Sequence, residues 1–235
     1  MPSSSTVSDE RRRTPCSTAN SAAASWFPRD AEVLVLVRHG QTAANAEGRL
    51  QGRTDPPLTH VGRGQARALA SMVCRGGSAP VRLLSSPLTR ARETAAALGL
   101  SLSVEVDERW VELDYGELDG RRVAEVPSEA WDAWRADASW APPGGESLAA
   151  VGERVRRACQ ALAREAAEAD VVVVSHVSPI KAAAAWALGA GDGMAWRMHL
   201  DLASVCRIRT GPRGPVLVSF NELPAPAGPL PGPGG

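Results

Sequence analysis

Two histidines, two arginines and a run of carboxylates stand where this sequence could do chemistry. "VLVLVRHGQTAAN", residues 33–45, breaks off five apolar residues at Arg38, His39 and Gly40. "VVVVSHVSPIKA", residues 171–182, ends a second apolar run at Ser175 and His176. "SSPLTRARETA", residues 85–95, offers Arg90 or Arg92, and "VELDYGELDG", residues 111–120, offers Glu112, Asp114, Glu117 and Asp119. Guanidinium forks bind a dianionic phosphoryl group bidentately and keep their charge. A neutral imidazole can attack phosphorus, and a carboxylic acid can protonate the departing oxygen. The set points to phosphoryl transfer without a metal, provided the fold brings its members together.

The elements around these motifs can do that. Residues 33–37, 81–84, 104–106 and 171–174 read as strands, the first and last as fully buried ones of the kind found in parallel sheets. Between them, Leu58, Val61, Leu69 and Val73 keep helical spacing behind a Thr59 cap. Pro87 can open a helix that Gly99 ends. Val151, Val155, Cys159 and Leu162 mark one face of a helix from Leu148, and Pro179 opens an Ala-rich one. The last two apolar segments, around "GPRGP", suggest a hairpin. Residues 110–145 are less regular and hold Trp110, Trp131, Trp134 and Trp140. The alternation predicts an α/β three-layer sandwich, a mostly parallel central sheet with helices on both faces. Ligands of such sheets lie beyond the carboxyl ends of the strands, where His39 and His176 both fall.

Bulk properties narrow the partners. The chain has 235 residues and a formal net charge of zero, so no global basic field argues for nucleic acid. No apolar run is long enough to span a membrane. Cys16, Cys74, Cys159 and Cys206 are scattered and lack zinc spacing, which favours free thiols in a reducing cytoplasm. Residues 1–30, with Arg11, Arg12 and Arg13, read as a disordered leader, and the Pro/Gly-rich 223–235 as a disordered tail. The folded domain is expected over 31–222. His60, which starts a surface helix, and His199, which precedes a strand, do not read as ligands; Arg92 and Glu93 read as exposed or structural. The tryptophans read as core more often than pocket, except that Trp131, Trp134 and Trp140 divide evenly between core and pocket wall.

In sum these motifs resemble the histidine phosphatase superfamily, which includes phosphoglycerate mutase-like enzymes. "VRHGQTAAN", "LQGRTDPPLTHVGRGQA", "LLSSPLTRARETA", "VELDYGELDG", "PPGGESL" and "VVVVSHVSPIKA" follow in the family's order and spacing. "SHVSPIKAAAAWALG" and "MHLDLASV" are similar to actinobacterial acid phosphatase domains, some fused to ribonuclease H, and to α-ribazole phosphatases. The resemblance implies a phosphoglycerate mutase-like fold and a metal-independent phosphomonoesterase that needs no cofactor. His39 would be the nucleophile, Arg38 and Arg90 would grip phosphoryl oxygens, and His176 would hold another. Glu112, among its neighbouring carboxylates, would be the acid for the leaving group and then the base for water. Thr42 and Asn45 would hydrogen-bond near the phosphate, and Gln51 and Gly52 would face the substrate. The substrate would be a small phosphate ester, and a homodimer is compatible. A mutase would carry a longer insertion between Glu112 and His176; a non-catalytic phosphate-binding module is the other alternative.

Overall fold

A computed structural model describes residues 33–74 and 79–224. The expected leader, and all but two residues of the expected tail, lie outside the described residues. Six strands form one sheet: β1 (Leu34–Arg38), β2 (Arg82–Ser85), β3 (Val104–Val106), β4 (Val171–Ser175), β5 (Val205–Arg209) and β6 (Val216–Glu222). Their order is β3-β2-β4-β1-β5-β6. β3, β2, β4 and β1 run parallel, while β5 is antiparallel to both β1 and β6.

The apolar strands are continuous because both faces are covered. Leu34, Leu36, Val171 and Val173 face one core, and Val35, Val37, Val172 and Val174 face the other. The first core packs under α5 (Ser128–Ala136), α6 (Leu148–Leu162) and α7 (Val177–Ala187). The second packs under α3 (Ala70–Val73) and α4 (Thr89–Ala97), with α2 (His60–Ala68) lying against α4. A single turn, α1 (Ala43–Ala46), follows β1. This is the three-layer α/β arrangement expected from the alternation of strands and helices.

Local signals account for most boundaries. Thr59 caps α2 by accepting from Gly62 N at 3.0 Å, and Ser147 caps α6 through Ala150 N at 3.1 Å. Gly99, at φ +65°, stands just beyond α4 in the left-handed conformation that glycine adopts most easily. Two expectations change. Helical spacing assigned Val61 to the buried face of α2, yet it is 41 % exposed. The helix breaks at Leu69, so a single phase does not run from Leu58 to Val73. Likewise α7 begins at Val177, two residues before Pro179, which falls within its first turn. The irregular segment at 110–145 contains short 3-10 turns and α5.

Candidate active site

Register assembles the site. Arg38 pairs with Ser175 across β1 and β4, so the next residue of each strand, His39 and His176, emerges at the same sheet edge. His39 N donates to Ser175 O at 3.1 Å, and the two imidazole rings lie 5.0 Å apart. β2, on the other side of β4, continues into Ser86 and then α4, which carries Arg90. Three adjacent parallel strands thus deliver Arg38, His39, His176 and Arg90 to one edge.

Hydrogen bonds fix the state of each ring. His39 Nδ1 is 2.7 Å from Gly40 O, which can only accept, so Nδ1 carries the proton and Nε2 has a free lone pair. His176 has the opposite tautomer. Arg90 Nε donates to its Nδ1 at 3.2 Å, so the proton is on Nε2, 2.7 Å from Ser86 Oγ. Burial, then Arg90 and Arg38, hold the His39 pKa well below its ordinary value. Burial and Arg90 do the same to His176, with smaller contributions from His39 and Arg38. Both rings are therefore neutral at neutral pH.

The arginines are fixed from different sides. Arg90 is wholly buried, with Nη1 donating to Thr54 O and Nη2 to Gly52 O, each at 2.8 Å. Asp55 accepts from Thr89 N at 2.7 Å and so holds the start of α4. Arg38 Nη1 donates to Leu200 O, while its buried Nε has no partner among the described residues. Burial lowers the pKa of both arginines, and the charge of Glu112 acts against it. Glu112 is itself buried; its Oε1 accepts from Leu113 N at 2.7 Å and from Ser178 N, in the first turn of α7, at 3.2 Å.

The loop after α1 closes the other side. Asp119 accepts from Gly52 N (2.8 Å), Arg53 N (3.0 Å) and Thr54 N (2.9 Å), tying this loop to the segment that bears Glu112. Thr42 Oγ1 lies 2.6 Å from Gln51 Oε1 and 2.9 Å from Asn45 Oδ1. Gln51 Nε2 is buried without a partner among the described residues. Close backbone contact demands glycine: a Cβ on Gly62 would stand 2.1 Å from Gln41 O, and one on Gly40 would stand 2.4 Å from Gly62 O.

All nine residues selected from the sequence gather here. The rivals separate by position. Asp114 accepts from Gly116 N at 2.9 Å, Asp119 serves the loop, and Glu93 accepts from Leu58 N at 2.9 Å. His60 and His199 are exposed, and His199 faces Asp201 at 3.0 Å. The even division of Trp131, Trp134 and Trp140 resolves by residue. Trp131 and Trp134 line a cavity beside Ser178, Trp110 is buried core, and Trp140 packs on Trp134 with ring centroids 5.5 Å apart. Sequence reasoning passed over Ser86, Tyr115, Lys181 and Trp196. Ser86 lies inside a quoted motif, whereas Trp196 carries no sequence signal.

Known proteins resemble this chain in sequence and fold. A bifunctional protein of Mycobacterium tuberculosis is 46 % identical over 178 residues, 73 % of this chain and 48 % of that one. The chain thus spans about half of that relative's length. Phosphoserine phosphatase 1 of Hydrogenobacter thermophilus is 33 % identical over 197 residues, 80 % of this chain and 91 % of that one. The solved mycobacterial glucosyl-3-phosphoglycerate phosphatase complexed with VO3 matches with a TM-score of 0.72 at 34 % identity, covering 82 % of this chain and all of that one. The description "Histidine phosphatase superfamily (branch 1)" matches residues 34–223, from the first strand to just beyond the last. With both the sheet and its motif-bearing edge accounted for, the chain belongs to the histidine phosphatase superfamily, branch 1.

Proposed function

We propose that this protein is a phosphomonoesterase working through a phosphohistidine on His39. One observation carries the reading: the Nδ1–H bond to Gly40 O leaves Nε2 bare on a ring that feels the charges of Arg90 and Arg38. Nε2 attacks phosphorus, and the bond from phosphorus to the ester oxygen breaks. Glu112 gives its proton to that oxygen through Oε2, since Oε1 is engaged by two backbone N–H groups. Water then attacks the phosphohistidine, Glu112 takes its proton, and phosphate leaves with His39 restored.

Arg38 and Arg90 stabilise the charge that spreads over the equatorial oxygens. Arg38 Nε, without a partner among the described residues, is a donor for this task. His176 holds an oxygen by exchanging its bond to Ser86 for one to the phosphoryl group. Thr42, Asn45, Gln51 and Gly52 border the phosphate on the loop side. The named activities of the relatives support a small phosphorylated substrate. We extend the proposal to an acid phosphatase of the cytoplasm, with the active domain in residues 31–222; neutral buried histidines suit work below neutrality.

Phosphate release from a panel of phosphomonoesters tests the reading. His39→Ala should lower turnover by on the order of 10⁴-fold or more, as for other covalent nucleophiles, and label from substrate should be trapped on His39 of the unmodified chain. EDTA should leave the rate intact. Near-normal turnover in His39→Ala, or interconversion of phosphoglycerates faster than phosphate release, would replace this reading.

A further inference from the structure

Gly40 joins two peptide planes, and each is held by a side chain from a different helix. The first, His39–Gly40, gives its N–H to Thr94 Oγ1 of α4 at 3.1 Å. Thr94 is fully buried, and its own hydroxyl donates to Arg90 O at 2.7 Å. The second plane, Gly40–Gln41, gives its N–H to Gln65 Oε1 of α2 at 2.9 Å. A backbone N–H can only donate, so the Gln65 atom that faces it is the carbonyl oxygen. The carbonyl of that same second plane is Gly40 O, which accepts the His39 Nδ1 proton at 2.7 Å.

Gln65 and His39 thus bind opposite edges of one rigid plane. By accepting from its N–H, Gln65 polarises the peptide and makes Gly40 O a stronger acceptor for His39. The hold matters because the residue after the nucleophile is glycine. A peptide beside glycine rotates with little steric resistance, and a rotated Gly40–Gln41 plane would withdraw its oxygen from Nδ1. The ring could then carry its proton on Nε2 and lose the attacking lone pair. Spacing along α2 supplies the clamp. Thr59 caps the helix, and its N–H donates to Gln41 O at 2.9 Å. Gly62 brings the first turn so close that a Cβ would stand 2.8 Å from Gln41 N. Gln65, three residues on and on the same face, reaches that N–H.

We propose that Gln65, seconded by Thr94, is a positioning residue for the nucleophile. It holds the Gly40–Gln41 peptide so that His39 keeps its proton on Nδ1 and its lone pair on Nε2. The effect on rate rests on the phosphohistidine reading of the site, but the place of the proton on His39 can be read without turnover.

Two substitutions separate the hydrogen bond from packing. Gln65→Met keeps the length of the side chain and loses the acceptor, whereas Gln65→Glu keeps an acceptor oxygen. With ¹⁵N-labelled histidine, a two-bond ¹H–¹⁵N correlation spectrum contains only four rings and shows which nitrogen of each bears the proton. The His39 signals are assigned by their loss in His39→Asn. Gln65→Met, checked for native folding by circular dichroism, should move His39 toward the other tautomer. It should also lower kcat by about tenfold with KM little changed, the worth of one hydrogen bond. Gln65→Glu should recover most of both. If Gln65→Met does not fold, Thr94→Val against Thr94→Ser makes the same comparison at the first plane. An unchanged tautomer in the variant without the acceptor, or equal losses in Gln65→Met and Gln65→Glu, would overturn the proposal. If the tautomer responds as stated but substrate never labels His39, the clamp stands and the phosphohistidine reading falls.

Discussion

The two ends of the candidate site are built by different means. At the phosphoryl end, Arg90 alone donates to His176, Thr54 O and Gly52 O, and Arg38, His39 and His176 stand at strand ends. At the cavity end, aromatic rings meet edge to face or stacked: Trp131 and Trp134 at 5.9 Å, Trp134 and Trp196 at 5.8 Å, Tyr115 and Trp134 at 5.7 Å. Directional bonds fix atoms to within tenths of an ångström, which a reacting centre needs. Ring packing fixes a shape and tolerates substitution, which a binding wall needs. One end is thus held by directional bonds and the other by the packing of rings.

Glu112→Gln should affect the first end most. It should cost on the order of 10²–10⁴-fold in kcat on alkyl phosphates and less on aryl phosphates, whose leaving groups depart without a proton. The melting temperature should change little, because a glutamine oxygen can still accept from Leu113 N and Ser178 N. Equal losses on both ester types would assign the acid to another residue.

Trp134→Ala should do the converse. Trp134 is 2 % exposed and touches four other aromatic rings. Its removal should destabilise the fold by about 3–5 kcal/mol, by denaturant titration, and should erode discrimination among substrates more than kcat on a small aryl phosphate. A stable variant with unchanged discrimination would merge the two ends into one.

A smaller effect follows from the histidines. His39 and His176 are held well below the ordinary imidazole pKa by burial and by Arg90. Below a pH of about 6.5 the unfolded chain takes up protons that the native state refuses, so stability should fall with pH. Each ring adds a slope of up to about 1.4 kcal/mol per pH unit in that window. The double variant His39→Asn/His176→Asn should flatten the slope between pH 6.5 and 5 (about where carboxylates begin to contribute). Turnover should not show an acid limb from His39 titration near its ordinary pKa. The smallest expected effect is none: removing residues 1–28 and 225–235 should leave the melting temperature and the rate on a small substrate unchanged.

The same division decided what could be read from sequence. His39 and His176 were legible because each ends an unbroken apolar run, and a parallel sheet turns that into one shared edge. Arg90 and Glu112 needed the family resemblance to separate them from Arg92 and from Asp114, Glu117 and Asp119. The cavity was legible only in part. Trp131 and Trp134 lie three apart on α5, one nine-residue helix in a stretch without clear periodicity. Trp196 comes from a 3-10 turn, Asp192–Arg197, that joins them only in three dimensions. Ser86 was hidden because a serine between Ser85 and Pro87 looks like a turn residue until His176 is seen beside it.

The place of β4 has a consequence for how the chain reaches its native state. β4 lies between β2 and β1, and its pairing partner in β1 is 137 residues upstream, Leu34 opposite Val171. Until those late residues arrive, the two earlier strands have no ladder to join them. Closing so long a loop is entropically costly and makes folding slow. His39 thus gains its neighbours Ser175 and His176 only when the central strand is inserted, and a nascent chain stopped before residue 171 should hold no phosphate site.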